Sequence, residues 1–193
     1  MTTRETSVTA SDSIGRAANN PSAPKLNGAA AAAGKRQVQY VPAGTGKTYR
    51  SPIDEVTFLM TGEQTGGAFF MIQVSVPPGA GNPPHIHHRE EETFYLQEGT
   101  LTVQVGGKTM TASAGDVICL PREVAHSFQN TGNVDAKFLV VASPAGLETF
   151  FEEAFYPVED PSAAMPPMTG EFMTRVLEAA PKCGLEFLPP TQQ

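Results

Sequence analysis

The sequence predicts an all-β fold, a sandwich or barrel of short strands followed by C-terminal helices. Three observations predict it. Runs rich in Val, Ile, Phe, Tyr and Thr recur between Glu55 and Ala142. Gly, Pro and Asn punctuate them at short intervals, as turns between strands do. No helical pattern alternates with these runs, which argues against βαβ units and a parallel sheet.

Length and composition set the frame. The chain has 193 residues, room for one domain with a sizeable core and a tail. A formal net charge of −7 and a pI near 5.1 weigh against nucleic-acid binding, which favours basic surfaces. No apolar run is long enough to cross a bilayer, so we expect no membrane partner and a cytoplasmic protein. Cys119 and Cys183 are the only cysteines and lie far apart. Two cysteines are no secreted disulfide framework, and Cys119, within the apolar run Val117–Leu120, reads as a buried, inert thiol.

Taken in order, residues 1–36 read as a disordered tail, rich in Ser, Thr, Asn, Ala, Gly and Pro and poor in large apolar groups. Residues 37–156 carry the β pattern. Its strands are expected at Glu55–Met60, Ala68–Val76, Thr93–Gln97, Thr100–Val105, Lys108–Ala112, Asp116–Leu120, Ser127–Gln129 and Ala136–Ala142. Glu98-Gly99 and Gly106-Gly107 read as tight hairpin links. Residues 157–193 read as a proline-rich linker and a C-terminal helix. Before them, Leu147–Ala154 places Leu147, Phe150, Phe151 and Ala154 on one helical face, expected to pack on the outside of the barrel. Gly170–Ala180 reads as the last helix, with Phe172, Val176, Leu177 and Ala180 in a stripe and Pro181 ending it. Leu185–Leu188 is expected to dock as an edge segment.

The chemistry concentrates in Gly79–Gly99, which holds three of the chain's four histidines and the run Glu90–Glu92. Residues two apart on a strand share a face, and Pro83-Pro84 favours an extended entry, so His85 and His87 turn inward together while His88 turns away. Across a short turn, an inward Glu92 carries Phe94 and Leu96 inward and leaves Thr93 and Tyr95 outside. Glu91 is the register alternative to Glu92. Glu90 and Glu91 otherwise read as a solvated turn, His88 as a rim histidine, and Arg89 and Arg122 as surface arginines within reach of an anionic substrate. A second stretch, Gly115–Asn130, brings His126, and by parity Phe128, onto the inward face. Three imidazoles and one carboxylate suit one divalent transition ion, whether Fe, Mn, Ni, Co or Zn. Four protein ligands on an ion that accepts five or six leave positions open, as catalytic sites do.

These residues carry a resemblance. Gly79, His85, His87, Glu92 and Gly99 match the cupin motif G(X)5HXH(X)4E(X)6G. Gly115, Pro121, His126 and Asn130 match its partner G(X)5PXG(X)2H(X)3N, with Glu123 standing where the second motif has glycine. The resemblance covers roughly residues 39–154 and implies a double-stranded β-helix, or jelly roll, with His85, His87, Glu92 and His126 as metal ligands in its mouth. The wider arrangement resembles single-domain cupins similar to bacterial quercetin 2,3-dioxygenases. That resemblance implies a metal-dependent dioxygenase acting with O2 on a small hydroxylated or enolisable aromatic compound. It also implies Glu92 as a catalytic residue moving between ligand and general base, a pocket wall of Phe94, Leu96 and Phe128, and a homodimer. The alternatives are a non-redox metal-dependent cupin enzyme (isomerase, cyclase, decarboxylase or lyase) and a small-molecule-binding cupin without catalysis.

Overall fold

The computed structural model describes residues 38–189; the expected tail, residues 1–36, lies outside the described residues. In chain order the elements are β1 (Thr48–Arg50), β2 (Glu55–Met60), α1 (Gly62–Thr65), β3 (Phe70–Val76), β4 (His85–His87), β5 (Glu91–Glu98), β6 (Thr100–Val105), β7 (Lys108–Ser113), β8 (Val117–Leu120), β9 (His126–Gln129), β10 (Ala136–Ser143), α2 (Glu148–Ala154), β11 (Tyr156–Pro157), α3 (Gly170–Cys183) and β12 (Leu185–Phe187). They form two antiparallel sheets, ordered β11-β1-β2-β3-β10-β5-β8 and β12-β4-β9-β6-β7. This is the all-β jelly roll that the strand pattern and the motifs predict.

Alternation builds the core. Along β3 Phe70, Ile72, Val74 and Val76 are buried, and along β10 Ala136, Phe138, Val140 and Ala142 are buried, each set on one face of its strand. The register pairs Val140 with Ile72 on one side and Phe94 on the other, so three strands present their apolar faces to one interior. The phenylalanines supply the bulk: Phe94, Phe128 and Phe138 meet with ring centroids 5.0–6.1 Å apart across the two sheets. Such pairs add about 0.5–1.5 kcal/mol each beyond their burial.

The two expected hairpin links differ. Val105 pairs with Lys108, so Gly106-Gly107 is a true hairpin. Glu98-Gly99 is not, because β5 and β6 lie in different sheets and the chain crosses between them there. Gly99 has φ +77°, and a Cβ on it would lie 2.7 Å from the Asp135 carbonyl oxygen, so glycine is required on both counts.

Two other expectations give way. Cys119 is exposed, because β8 is a sheet edge whose alternation buries Ile118 and Leu120 and turns Val117 and Cys119 to solvent. Pro181 does not end the last helix: α3 runs through it to Cys183 and stops at Gly184, a left-handed cap with φ +72°. In the final turn a missing N–H costs one bond only, and the helix tolerates it.

The chain after α2 is tied to the sheets by specific contacts. β11 pairs with β1, and the Arg50 guanidinium donates to the carbonyls of Pro161 and Ala163 while pairing with Glu55. β12 pairs with β4, Leu185 opposite His87 and Phe187 opposite His85. The backbone N–H of His88 donates to Gly184 at 2.9 Å. The end of α3 is thereby fixed against the histidine strand.

Candidate metal centre

β4 sits between β12 and β9, with His85 paired opposite His126. Strand parity turns His85 and His87 inward, and β5 brings Glu92 from the facing sheet. All four side chains are buried, and one ligand-capable atom from each lies within 4.8 Å of the others. Glu92 Oε2 is 3.3 Å from Nε2 of both His87 and His126.

The backbone orients two of the imidazoles. His85 Nδ1 lies 3.0 Å from the Pro83 carbonyl oxygen and His126 Nδ1 lies 3.0 Å from that of Val124. A carbonyl only accepts, so each Nδ1 carries the proton and each Nε2 turns a lone pair to the centre. His126 Nε2 is fully buried and has no hydrogen-bond partner among the described residues. A buried lone pair without a partner is expensive, and an ion at the centre is what would satisfy it. The residues present therefore fit a divalent ion.

The electrostatics agree. Burial pushes the Glu92 carboxyl up, but the surrounding imidazoles of His87, His126 and His85 outweigh it and hold it down near 2. Burial, then the neighbouring His126 and His87, press His85 down to about 3, so it stays neutral and able to ligate. His87 is opposed by burial, but Glu92 and Glu90 beside it raise it overall. At neutral pH Glu92 is thus a carboxylate and His85 a neutral imidazole, both in the form a metal takes, whereas the raised His87 would have to release its proton to ligate.

Glu90 is a residue that sequence reasoning missed. It is 1% exposed, not solvated, and its Oε2 sits 3.7 Å from His87 Nδ1, on the ring edge away from the centre. Both atoms lack partners among the described residues. No local pattern in Arg89–Glu92 marks this, because groups near its carboxyl, such as Gly146 and Cys183, come from far downstream. Glu91 is exposed and faces Arg122 at 3.5 Å. His88 is exposed and bridges Glu123 (2.7 Å) and Glu186 (2.9 Å). Glu123, standing at the motif's glycine position, takes φ +63°. Arg89 donates to the Lys182 carbonyl, and neither it nor Arg122 lines the cavity. Asn130 is buried and structural: its amide donates to Val76 and Val134 and accepts from Gly132.

A cavity of about 420 Å³ opens from the centre. His85, His87 and Glu92 stand in its wall, as do Phe94 and Phe128. Leu96 points inward as parity requires but lies in the core, outside the cavity lining. The α2 aromatics do more than cover the barrel: Phe150, Phe151 and the following Phe155 line the cavity. The helical stripe in the sequence was the signal for them.

Fold and site together define a cupin: residues 72–142 match the family model for the cupin domain, and that segment is a cupin domain. Among particular relatives, a quercetin 2,3-dioxygenase from Aspergillus japonicus is 35% identical over 101 residues, 49% of this chain and 29% of that protein. A quercetin 2,3-dioxygenase from Bacillus subtilis is 27% identical over 142 residues, 68% of this chain and 42% of that protein. The chain therefore spans less than half the length of these two relatives. A solved structure from Thermotoga maritima, described as a predicted oxalate decarboxylase, is 27% identical, with a TM-score of 0.51, covering 55% of this chain and 99% of that one.

Proposed function

We propose that the protein is a metal-dependent dioxygenase, similar to quercetin 2,3-dioxygenases, that oxygenates or cleaves a small hydroxylated or enolisable aromatic compound. The observation that carries the reading is the buried set His85, His87, Glu92 and His126, three of which (His85, His87 and Glu92) stand in the wall of an apolar, aromatic-lined cavity. These four residues would hold one divalent transition ion. Such an ion supplies Lewis acidity toward a substrate hydroxyl and, with a redox-active substrate, a partner for dioxygen.

This chain's residues do the rest. Glu92 would leave the ion to act as general base, receiving the proton of the substrate hydroxyl at a carboxylate oxygen. Phe94 and Phe128 pack against the substrate ring and exclude water, which strengthens every electrostatic contact inside. The carbonyls of Pro83 and Val124 hold the imidazoles of His85 and His126 in position throughout. The reading includes a homodimer, since four sheet-edge strands (β11, β8, β12 and β7) invite pairing.

Two measurements test it. Elemental analysis of purified protein is expected to find about one transition ion per chain and a sharp loss in His126→Ala; metal-free wild type would sink the site. Oxygen-electrode assays on a panel of flavonols, diketones and hydroxylated aromatics are expected to show uptake with at least one member. Equal turnover without oxygen favours the non-redox reading, which the likeness to a predicted decarboxylase supports.

A further inference from the structure

The cavity has a second polar point, remote from the metal centre. Asp54, just before β2, lines it and is 6% exposed. Its Oδ1 accepts from the Ser51 hydroxyl, which in turn accepts the backbone N–H groups of Ile53 and Asp54 at 3.1 Å. Among the described residues no hydrogen bond reaches its other carboxylate oxygen and the residue makes no salt bridge; that oxygen is not one of the fully buried unpartnered atoms, which leaves it open to the cavity that Asp54 lines. Burial raises Asp54 to about 6, only partly offset by the Ser51 hydroxyl, so at pH 8 it is a buried anion without a countercharge. A turn of this kind needs only an acceptor, which asparagine supplies without burying a charge. The fold therefore carries a cost for which its own contacts give no return.

Position makes the carboxylate useful. Glu92 pairs with Ala142, which pairs with Phe70, whereas Glu55, next to Asp54, pairs with Ser75. Those two levels are five residues apart along β3, roughly 17 Å of strand at ~3.4 Å per residue. Between the two polar points the wall is apolar, including Val56, Val74, Phe138 and Phe151. Met168, Met173 and Leu177 line the cavity as well and are exposed, an apolar entry from the α3 side.

We propose that Asp54, braced by Ser51, is a specificity-determining residue that accepts a hydrogen bond from a hydroxyl at the end of the substrate remote from the metal centre. The ligand class is an apolar, ring-sized or longer body with a hydroxyl donor at that far end. This rests on the reading of the cavity as the substrate site. A charge-assisted bond in an apolar-walled cavity discriminates between a donor and its isostere, because a molecule without the donor leaves the anion unpaired.

The test is anaerobic titration calorimetry of the full chain at pH 8 with 4-butylphenol and 4-butylanisole, which differ in whether the oxygen donates. Wild type is expected to bind the phenol at least about tenfold more tightly, the scale of one charge-assisted bond. Asp54→Asn turns an amide N–H₂ to the cavity, which donates to both oxygens, so the preference is expected to fall below about twofold. Asp54→Leu, the second variant should the first fail to fold, is expected to show the same collapse. A wild type with no preference, a preference that survives in the variants, or no binding of either compound overturns the proposal. Excluding oxygen removes any oxygenase turnover from the signal, so the outcome is independent of whether the protein proves to be an oxygenase.

Discussion

At the scale of single residues, the centre is organised by atoms that do not face it. Carbonyls behind His85 and His126 choose their tautomers, and Glu90 stands behind His87. Partners of this kind typically contribute ten- to hundredfold to metal affinity. Glu90→Ala is accordingly expected to weaken metal binding about ten- to hundredfold, read by chelator competition, while circular dichroism stays unchanged. Asp54 predicts a pH effect. Its folded pKa, about 6, is raised above the ordinary aspartate value, so the folded state binds the extra proton between pH 4 and 6. Its contribution is therefore favourable at low pH and is lost as pH rises through 6. Relative to wild type, Asp54→Asn is expected to gain up to about 3 kcal/mol in urea denaturation between pH 4 and pH 8. Residue-level legibility followed parity: His88 turns away from His85 and His87 as period two demands. The same rule, applied to Val117–Leu120, would have placed Cys119 outside; the apolar character of that run obscured it. Glu90 was illegible because the groups that bury it are distant in sequence.

At the scale of elements, strands were read well and connections less so. Turn residues mark where a strand ends but not which sheet the next one joins, and so Glu98-Gly99 read as a hairpin when it is a crossing. The helix ends show the converse. Gly184, rather than Pro181, stops α3, and a Cβ there would lie 3.0–3.2 Å from the Arg89 side chain. Gly184→Ala therefore combines a left-handed φ with crowding and is expected to cost about 1–2 kcal/mol in urea denaturation. Pro181→Ala is expected to be neutral or stabilising by under about 1 kcal/mol, since it restores one helical N–H. α2 was placed correctly in sequence, yet its role was not: its aromatic stripe packs toward the cavity, and periodicity alone does not say what an apolar face meets.

At the scale of the whole molecule, the centre joins both sheets, with β4 and β9 from one and β5 from the other. An ion held by all three would bind the folded chain in preference to the unfolded one. Wild type with metal at about a hundred times its Kd is expected to gain about 2.7 kcal/mol of stability. The gain should be absent in His126→Ala, and comparing denaturation with and without metal checks both. The jelly roll and the gathering of the two motifs were legible because strand period and motif spacing are local. The cavity was not, since its walls combine β2, β3, β10, α2 and α3, and only tertiary packing brings these together.

The pairing of β12 with β4 sets an order of events during synthesis. When the ribosome has made His126, every residue of the buried cluster exists, but the strand that bears His85 and His87 still has one bare edge. That edge closes only after α3 has emerged and Leu185–Phe187 have reached β4. An ion met by the nascent chain before that point would find a half-bordered histidine strand, and the border is complete only once β12 has paired with β4.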